Sequence, residues 1–156
     1  MTNSANAFQA SRIARSDGLS GSDGVVGQTL AAFLAAQERK AWDPATLNCM
    51  LFPAAWAIWL GHRDPVEKWR GVFSSEAEYL AIVRAAGGCL PLMAVAAARI
   101  NGRPLAAPVC GAVGVIGSST NLEKQFGAIF DGRRWLVRFT NRIGSMAARP
   151  LAIWSI

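Results

Sequence analysis

The chain has 156 residues, with Lys+Arg 16 against Asp+Glu 10 and a single His, giving a formal net charge of +6. Apolar residues make up 52% and charged residues 17%, which excludes a disordered chain and suits one domain with a substantial buried core. The longest apolar stretches, Cys49–Leu60 and Cys89–Ala98, are shorter than the ~20 residues a bilayer span requires, and Pro53 and Pro91 interrupt them.

Residues 1–27 are rich in Ser, Gly, Ala and Asn, with Gly18, Gly21, Gly24 and Gly27 spaced as in a flexible arm. Met1–Ala10 is polar and no apolar run follows it, so a secretory signal is not expected there. The domain proper is expected over residues 28–156. From Gln28 to Lys40, the spacing of Leu30, Phe33, Leu34 and Gln37 predicts an amphipathic helix. A loop with Trp42 and Asp43-Pro44 follows. Asn48 is then placed to cap a helix over Cys49–Leu60 that is apolar almost all round, the pattern of a buried central helix. Pro53 predicts a kink below Cys49. Asp64-Pro65 starts a short third helix through Trp69. Ser74 or Ser75 caps a helix over Glu76–Ala86, with Glu78 completing a capping box if Ser75 is the N-cap; Gly87-Gly88 ends it, and Leu90–Ile100 is a further helix.

Beyond Asn101-Gly102 the pattern becomes β-like. Strands are predicted over Val109–Ile116, Gln125–Phe130, Arg134–Thr140 and Pro150–Trp154, with Asp131-Gly132 as a hairpin turn. Helices first and an antiparallel sheet second define the α+β class.

Cys49, Cys89 and Cys110 are odd in number, widely spaced and set among apolar neighbours, which points to reduced thiols. No two of them have ligand-like spacing and His62 stands alone, so neither a metal nor a cofactor is expected. Positive charge concentrates in residues 101–156, where Arg103, Lys124, Arg133, Arg134, Arg138, Arg142 and Arg149 face only Glu123 and Asp131. Such a surface suits an acidic partner or an anionic polymer, or is simply a solvated face. The nearby aromatics fall on strands with buried faces and lack RNP-like or zinc-finger spacing, which disfavours nucleic acid. Trp56, Trp59, Trp69 and Trp135 are expected in the core, and Trp42 and Trp154 nearer the surface.

One position suggests chemistry. Cys49 follows a capping residue at the start of a buried helix, where free N–H groups and the helix dipole favour a thiolate. With a His from a later strand it would complete a Cys–His nucleophile; alone, it is a small buried hydrophobe. His62 cannot serve, because it lies at the other end of the same helix, ~20 Å away along the axis.

The order Trp42, Asn48-Cys49, Trp56, Gly61-His62-Arg63-Asp64-Pro65, Arg70-Gly71, Ala86-Gly87-Gly88 and the closing Leu151-Ala152-Ile153-Trp154 resembles a phage and prophage tail-module family. That family is related to the NlpC-type, papain-like cell-wall endopeptidases, and the resemblance covers about residues 28–156. It implies a papain-like α+β fold with N-terminal helices and a buried Cys-bearing helix on a small C-terminal antiparallel sheet. Cys49 fills the nucleophile position. Asn48 replaces the preceding aspartate, Gly111-Ala112 replaces the Gly-Asp at the start of the sheet, and Gln125 stands where the peptidases carry His. The third, orienting polar position falls near Val137 or Arg138. A glutamine accepts no proton near neutral pH.

The resemblance therefore implies a structural or assembly component of a phage-type tail, at its distal tip, with a degenerate peptidase site. Its partners would be other tail or baseplate proteins, with peptidoglycan as a further ligand, and it would be assembled in the bacterial cytoplasm and carried in the virion. The alternatives are an active cysteine endopeptidase cutting peptidoglycan cross-links during entry, and a host protein that binds anionic polymer through residues 101–156.

Overall fold

A computed structural model describes residues 24–156. Most of the arm expected over residues 1–27 lies outside the described residues, but residues 24–27 are already helical and extend α1 over residues 24–38. The three-and-four spacing of Leu30, Phe33 and Gln37 brings all three onto the buried stripe of this helix.

Helix α2 is Leu51–Trp59, shorter at both ends than the apolar run. Its start is set by Asn48, whose Oδ1 accepts from Met50 N and Leu51 N, both at 2.9 Å. Two of the otherwise unpaired N–H groups of the first turn are thereby satisfied. Pro53, where a kink is expected, lies within a continuous helix. It is the third residue of α2, and the carbonyl it leaves without a helical donor, that of Cys49, sits at the closest approach to Gly127 on the sheet. Gly61, at φ +94°, turns the chain out of α2. The expected third helix is a single 3₁₀ turn, Glu67–Trp69, preceded by Asp64 Oδ1 accepting from Val66 N at 3.1 Å.

Helix α3, Glu76–Ala86, has the expected limits. Ser75 Oγ accepts from Glu78 N at 3.2 Å, and the Glu78 carboxylate reaches Ser74 N at 2.7 Å, one residue further back than in a standard capping box. Gly87 and Gly88 bend the path by 84° into α4, Cys89–Arg99. Among the described residues no single helix is long and apolar enough to cross a membrane.

The strands are β1 (Arg103–Pro104), β2 (Val113–Gly117), β3 (Gln125–Phe130), β4 (Trp135–Arg138), β5 (Ile143–Ser145) and β6 (Pro150–Ser155). They form one antiparallel sheet in the order β1-β6-β2-β3-β4-β5, with α2 against β3 and α4 across β2, β3 and β6. The Asp131-Gly132 turn joins β3 to β4 as expected, with Asp131 Oδ1 accepting from Arg133 N and Arg134 N, each at 2.8 Å.

Period-two alternation divides the sheet into two buried faces. Val113, Val115, Ile129, Leu136 and Trp154 join the helices in the main core. Ala112, Ile116, Ala128, Trp135, Val137 and Ile153 form a second cluster on the opposite face, covered by Phe126, Phe130, Phe139 and Met146. Two tryptophans exchange their expected places: Trp59, at the exposed end of α2, is 47% exposed, whereas Trp154, in β6 beside β2, is 8% exposed.

Candidate functional site

The loop before α2 is built by Asp43, whose carboxylate accepts from Ala45 N at 3.0 Å and Thr46 Oγ1 at 2.9 Å. It delivers Asn48, which is buried and also donates from Nδ2 to Pro44 O at 3.1 Å. Cys49 is thus fixed at the mouth of α2, facing β3. A Cβ at Gly127 would lie 2.5 Å from Cys49 O, so only glycine lets the strand approach this closely.

The expected pairing of a helix-start cysteine with the sheet is therefore present, but its chemistry differs from a nucleophile's. Cys49 Sγ lies 3.5 Å from the Tyr79 hydroxyl. Burial pushes the thiol up, outweighing the Tyr79 hydroxyl and the backbone groups of Gly127, Cys49 and Met50, which pull it down. The expectation that the helix N-terminus yields a thiolate is thereby corrected: desolvation dominates, and Cys49 is a thiol at neutral pH.

Tyr79, on α3, packs its ring against Phe73 at 5.6 Å, and its hydroxyl also lies 3.8 Å from Cys89 Sγ. Burial, together with the neighbouring thiols, drives the Tyr79 hydroxyl far above its ordinary value. Cys89 is 2% exposed, donates to Gln125 O at 3.3 Å, and is pushed up to about 12, chiefly by burial. Two helix-start thiols thus converge on one phenol, and all three groups are protonated at neutral pH.

Gln125 is on the helix-facing side of β3, two residues from Gly127, but its carboxamide serves α4. Its Oε1 accepts from Leu90 N at 3.4 Å, and Nε2 donates to Ser118 O at 3.0 Å. Gly88 is required beside it, since a Cβ there would meet Oε1 at 2.5 Å. Ala112 is a small apolar side chain of the second cluster and offers no polar group to Cys49. His62 lies beyond the far end of α2, where its N–H donates to Ala57 O at 3.0 Å. Among the described residues no group of three or more His, Cys, Asp or Glu is arranged to hold a metal ion.

Arg138, the position nearest the expected orienting residue, faces α1 instead. Its guanidinium donates to Gln37 O at 3.2 Å and Lys40 O at 2.9 Å, closing the C-terminus of that helix. It is 4% exposed, so one cation of the basic C-terminal third is internal. Arg103, Lys124, Arg133, Arg134, Arg142 and Arg149 are exposed. Sequence reasoning singled out neither Tyr79 nor Cys89; only the start of α4 after Gly87-Gly88 could have flagged Cys89.

The chain is an α+β domain in which α2, entered through Asn48-Cys49, packs on an antiparallel sheet. A family described as a domain of unknown function, DUF6950, matches residues 24–156, and the chain belongs to that family. Comparison with curated proteins and with solved structures finds no match.

Proposed function

We propose that this domain is a structural or assembly component of a phage-type tail, at its distal tip, on a papain-like, NlpC-type framework whose peptidase site has decayed. The framework reading is supported by the order of the elements: a capped cysteine opens the buried helix α2, and β3 of the following sheet presses against it. The observation that carries the loss of catalysis is the engagement of Cys49 Sγ with the Tyr79 hydroxyl, while Gln125, at the position of the missing base, is spent on Leu90 N and Ser118 O. A cysteine nucleophile needs a base to take its proton, and neither a phenol held protonated nor a carboxamide accepts one. The tail assignment itself rests on the resemblance in motif order.

The test is mass spectrometry of purified particles combined with wall-degradation assays of the purified domain. The expected result is the domain in the particle at a fixed copy number and no wall degradation by wild type or Cys49→Ser. Absence from particles overturns the assembly reading, and wall degradation lost in Cys49→Ser replaces it with an active endopeptidase.

A further inference from the structure

We propose that the open edge of β5 takes up an extended peptide strand, antiparallel to it, that carries an apolar residue and, two positions later, an acidic one. The inference rests on the C-terminal sheet alone and stands or falls independently of the assembly reading.

The pairing register decides which backbone groups are unspent. Phe139 N donates to Arg142 O at 2.8 Å and Met146 N to Trp135 O at 3.0 Å. Bonded and non-bonded pairs alternate along an antiparallel ladder, so Gly144 bonds inward to Val137, while the N–H and C=O of Ile143 and Ser145 point away from β4. β5 ends the sheet, and these four groups have no strand partner among the described residues. The other edge is closed differently. Leu105 N donates to Ile153 O at 2.9 Å, which makes Pro104 the outward-facing residue of β1, and a proline has no N–H to offer. One edge of the sheet is blunted; the other keeps its donors, and Ser145 on it is exposed.

The side chains around β5 specify the strand that fits. Residues of an added strand alternate between the two faces in step with those of β5. The residue opposite Gly144 lies on the face where a Cβ at this glycine would be 3.0 Å from an Arg142 Nη, so it meets that guanidinium. Arg142 is held over the Phe139 ring, at 5.3 Å, and has no ion pair among the described residues. An acidic side chain is its complement. The residue opposite Met146 lies on the same face, beside a pocket of about 280 Å³ lined by Phe130, Arg133, Arg134, Trp135, Ser145 and Met146, among others. The Phe130 and Trp135 rings, 5.2 Å apart, offer this residue an apolar wall. Arg134 is engaged by Asp131 at 3.5 Å, whereas Arg133 adds a second cation without an ion pair among the described residues.

In an antiparallel strand the residue opposite Met146 precedes the one opposite Gly144 by two, which sets the order apolar, any, acidic. A second copy of this chain fits less well. β5 paired with itself about Gly144 brings two Arg142 guanidinium groups together on one face, and like charges directly opposed are unfavourable.

The experiment titrates the full chain with N-acetyl-Thr-Leu-Thr-Glu-Thr-amide, following the backbone N–H signals of Ile143 and Ser145 and their hydrogen exchange by NMR. The comparison probes replace Glu by Gln, which removes the charge, or methylate the nitrogen of the central Thr, which removes the donor to Ser145 O. Saturable binding that slows exchange at Ile143 and Ser145 is expected, weakened about tenfold for the N-methyl probe and about fivefold for the Gln probe. Ser145→Pro gives β5 the protection that Pro104 gives β1 and is expected to bind about tenfold more weakly. Should Ser145→Pro fail to fold, Arg142→Ala, on an exposed side chain, decides by its own fivefold loss. No saturable shift up to about 10 mM overturns the proposal, as does equal binding of all three probes or binding that leaves exchange at the two amides unchanged. A concentration-dependent dimer of the wild-type chain in sedimentation, abolished by Ser145→Pro, overturns it in favour of a second copy.

Discussion

The Tyr79 hydroxyl sits 3.5 Å from Cys49 Sγ, tying the residue that leads into α2 to the middle of α3. Burial, the stronger influence on this thiol, holds it protonated at neutral pH. Alkylation of Cys49 by iodoacetamide at pH 7 is therefore expected to be about a hundredfold slower in the native protein than in denaturant, where the thiol has its ordinary value. Tyr79→Phe keeps the ring but removes the hydroxyl that pulls the thiol down, so the reaction is expected to remain slow. Time-resolved mass spectrometry of the Cys49 peptide measures both. A native rate equal to or above the denatured rate contradicts the protonated thiol and reopens the case for a nucleophile.

Cys89 gives the buried cluster a defined pH dependence. Its native value is raised to about 12 from an ordinary 9.0, so the unfolded chain loses this proton first as pH rises. Stability from the protonated thiol is fully present below about pH 9 and declines as pH rises towards 12, at about 1.4 kcal/mol per pH unit. Tyr79, also raised, acts in the same direction above its own unfolded range near 10.0. Urea unfolding of wild type and Cys89→Ala from pH 7 to pH 11 tests this. The variant is expected to be less stable at pH 7, through the small cavity, and to lose stability less steeply above pH 9. Parallel alkaline slopes for the two proteins would remove Cys89 from the account.

Gln125 occupies the position where the resemblance expects a base, yet its two hydrogen bonds bind α4 and the loop before β3 to each other. Gln125→His is therefore expected to destabilise the fold by about 1–3 kcal/mol, because at least one of Leu90 N and Ser118 O loses its partner. It is not expected to confer peptide hydrolysis, since the protonated Cys49 thiol still faces Tyr79. Thermal unfolding and a cell-wall peptide assay on the variant measure the two outcomes. Activity gained without loss of stability would show that only the base was missing.

What the sequence disclosed and what it concealed differ by range of interaction. Helix α3 was legible to the residue because its limits are local: Ser75 caps it and Gly87, at φ +85°, ends it. The Asp131-Gly132 hairpin was legible for the same reason, its turn being closed by the Asp131 side chain. Strands β1 and β5 were not: β1, of two residues, owes its extension to β6 at the far end of the chain, and β5, of three residues, pairs with β4 through a turn over residues 139–142 that carries no Asn-Gly or Asp-Gly signal. Cys49 could be picked out from Asn48 beside it. Tyr79 and Cys89 could not, since they meet it only once α3 and α4 fold back on one another. Trp59 and Trp154 show the same limit: both look equally apolar in sequence, and only the end of α2 and the place of β6 decide which is covered.

Arg138 carries the longest-range polar link described, joining β4 to the carbonyls of Gln37 and Lys40 across about a hundred residues. A cation at a helix C-terminus meets the negative end of the dipole and satisfies carbonyls that the helix leaves unpaired. Arg138→Met preserves much of the apolar stem but leaves the part-buried Lys40 O without this donor and Gln37 O with Lys40 N alone, so a loss of about 1–3 kcal/mol is expected. The loss should centre on the last turn of α1, with hydrogen exchange accelerated over residues 34–40 before the sheet is affected. Arg138→Lys is expected to recover only part of it, because one ammonium does not reproduce the two-pronged reach of a guanidinium. Because the guanidinium is buried, wild-type stability should change little between low and moderate salt, unlike that of an exposed ion pair. Uniform exchange acceleration across the whole chain in Arg138→Met would show that α1 does not unfold as a separate unit and that this arginine supports the domain globally.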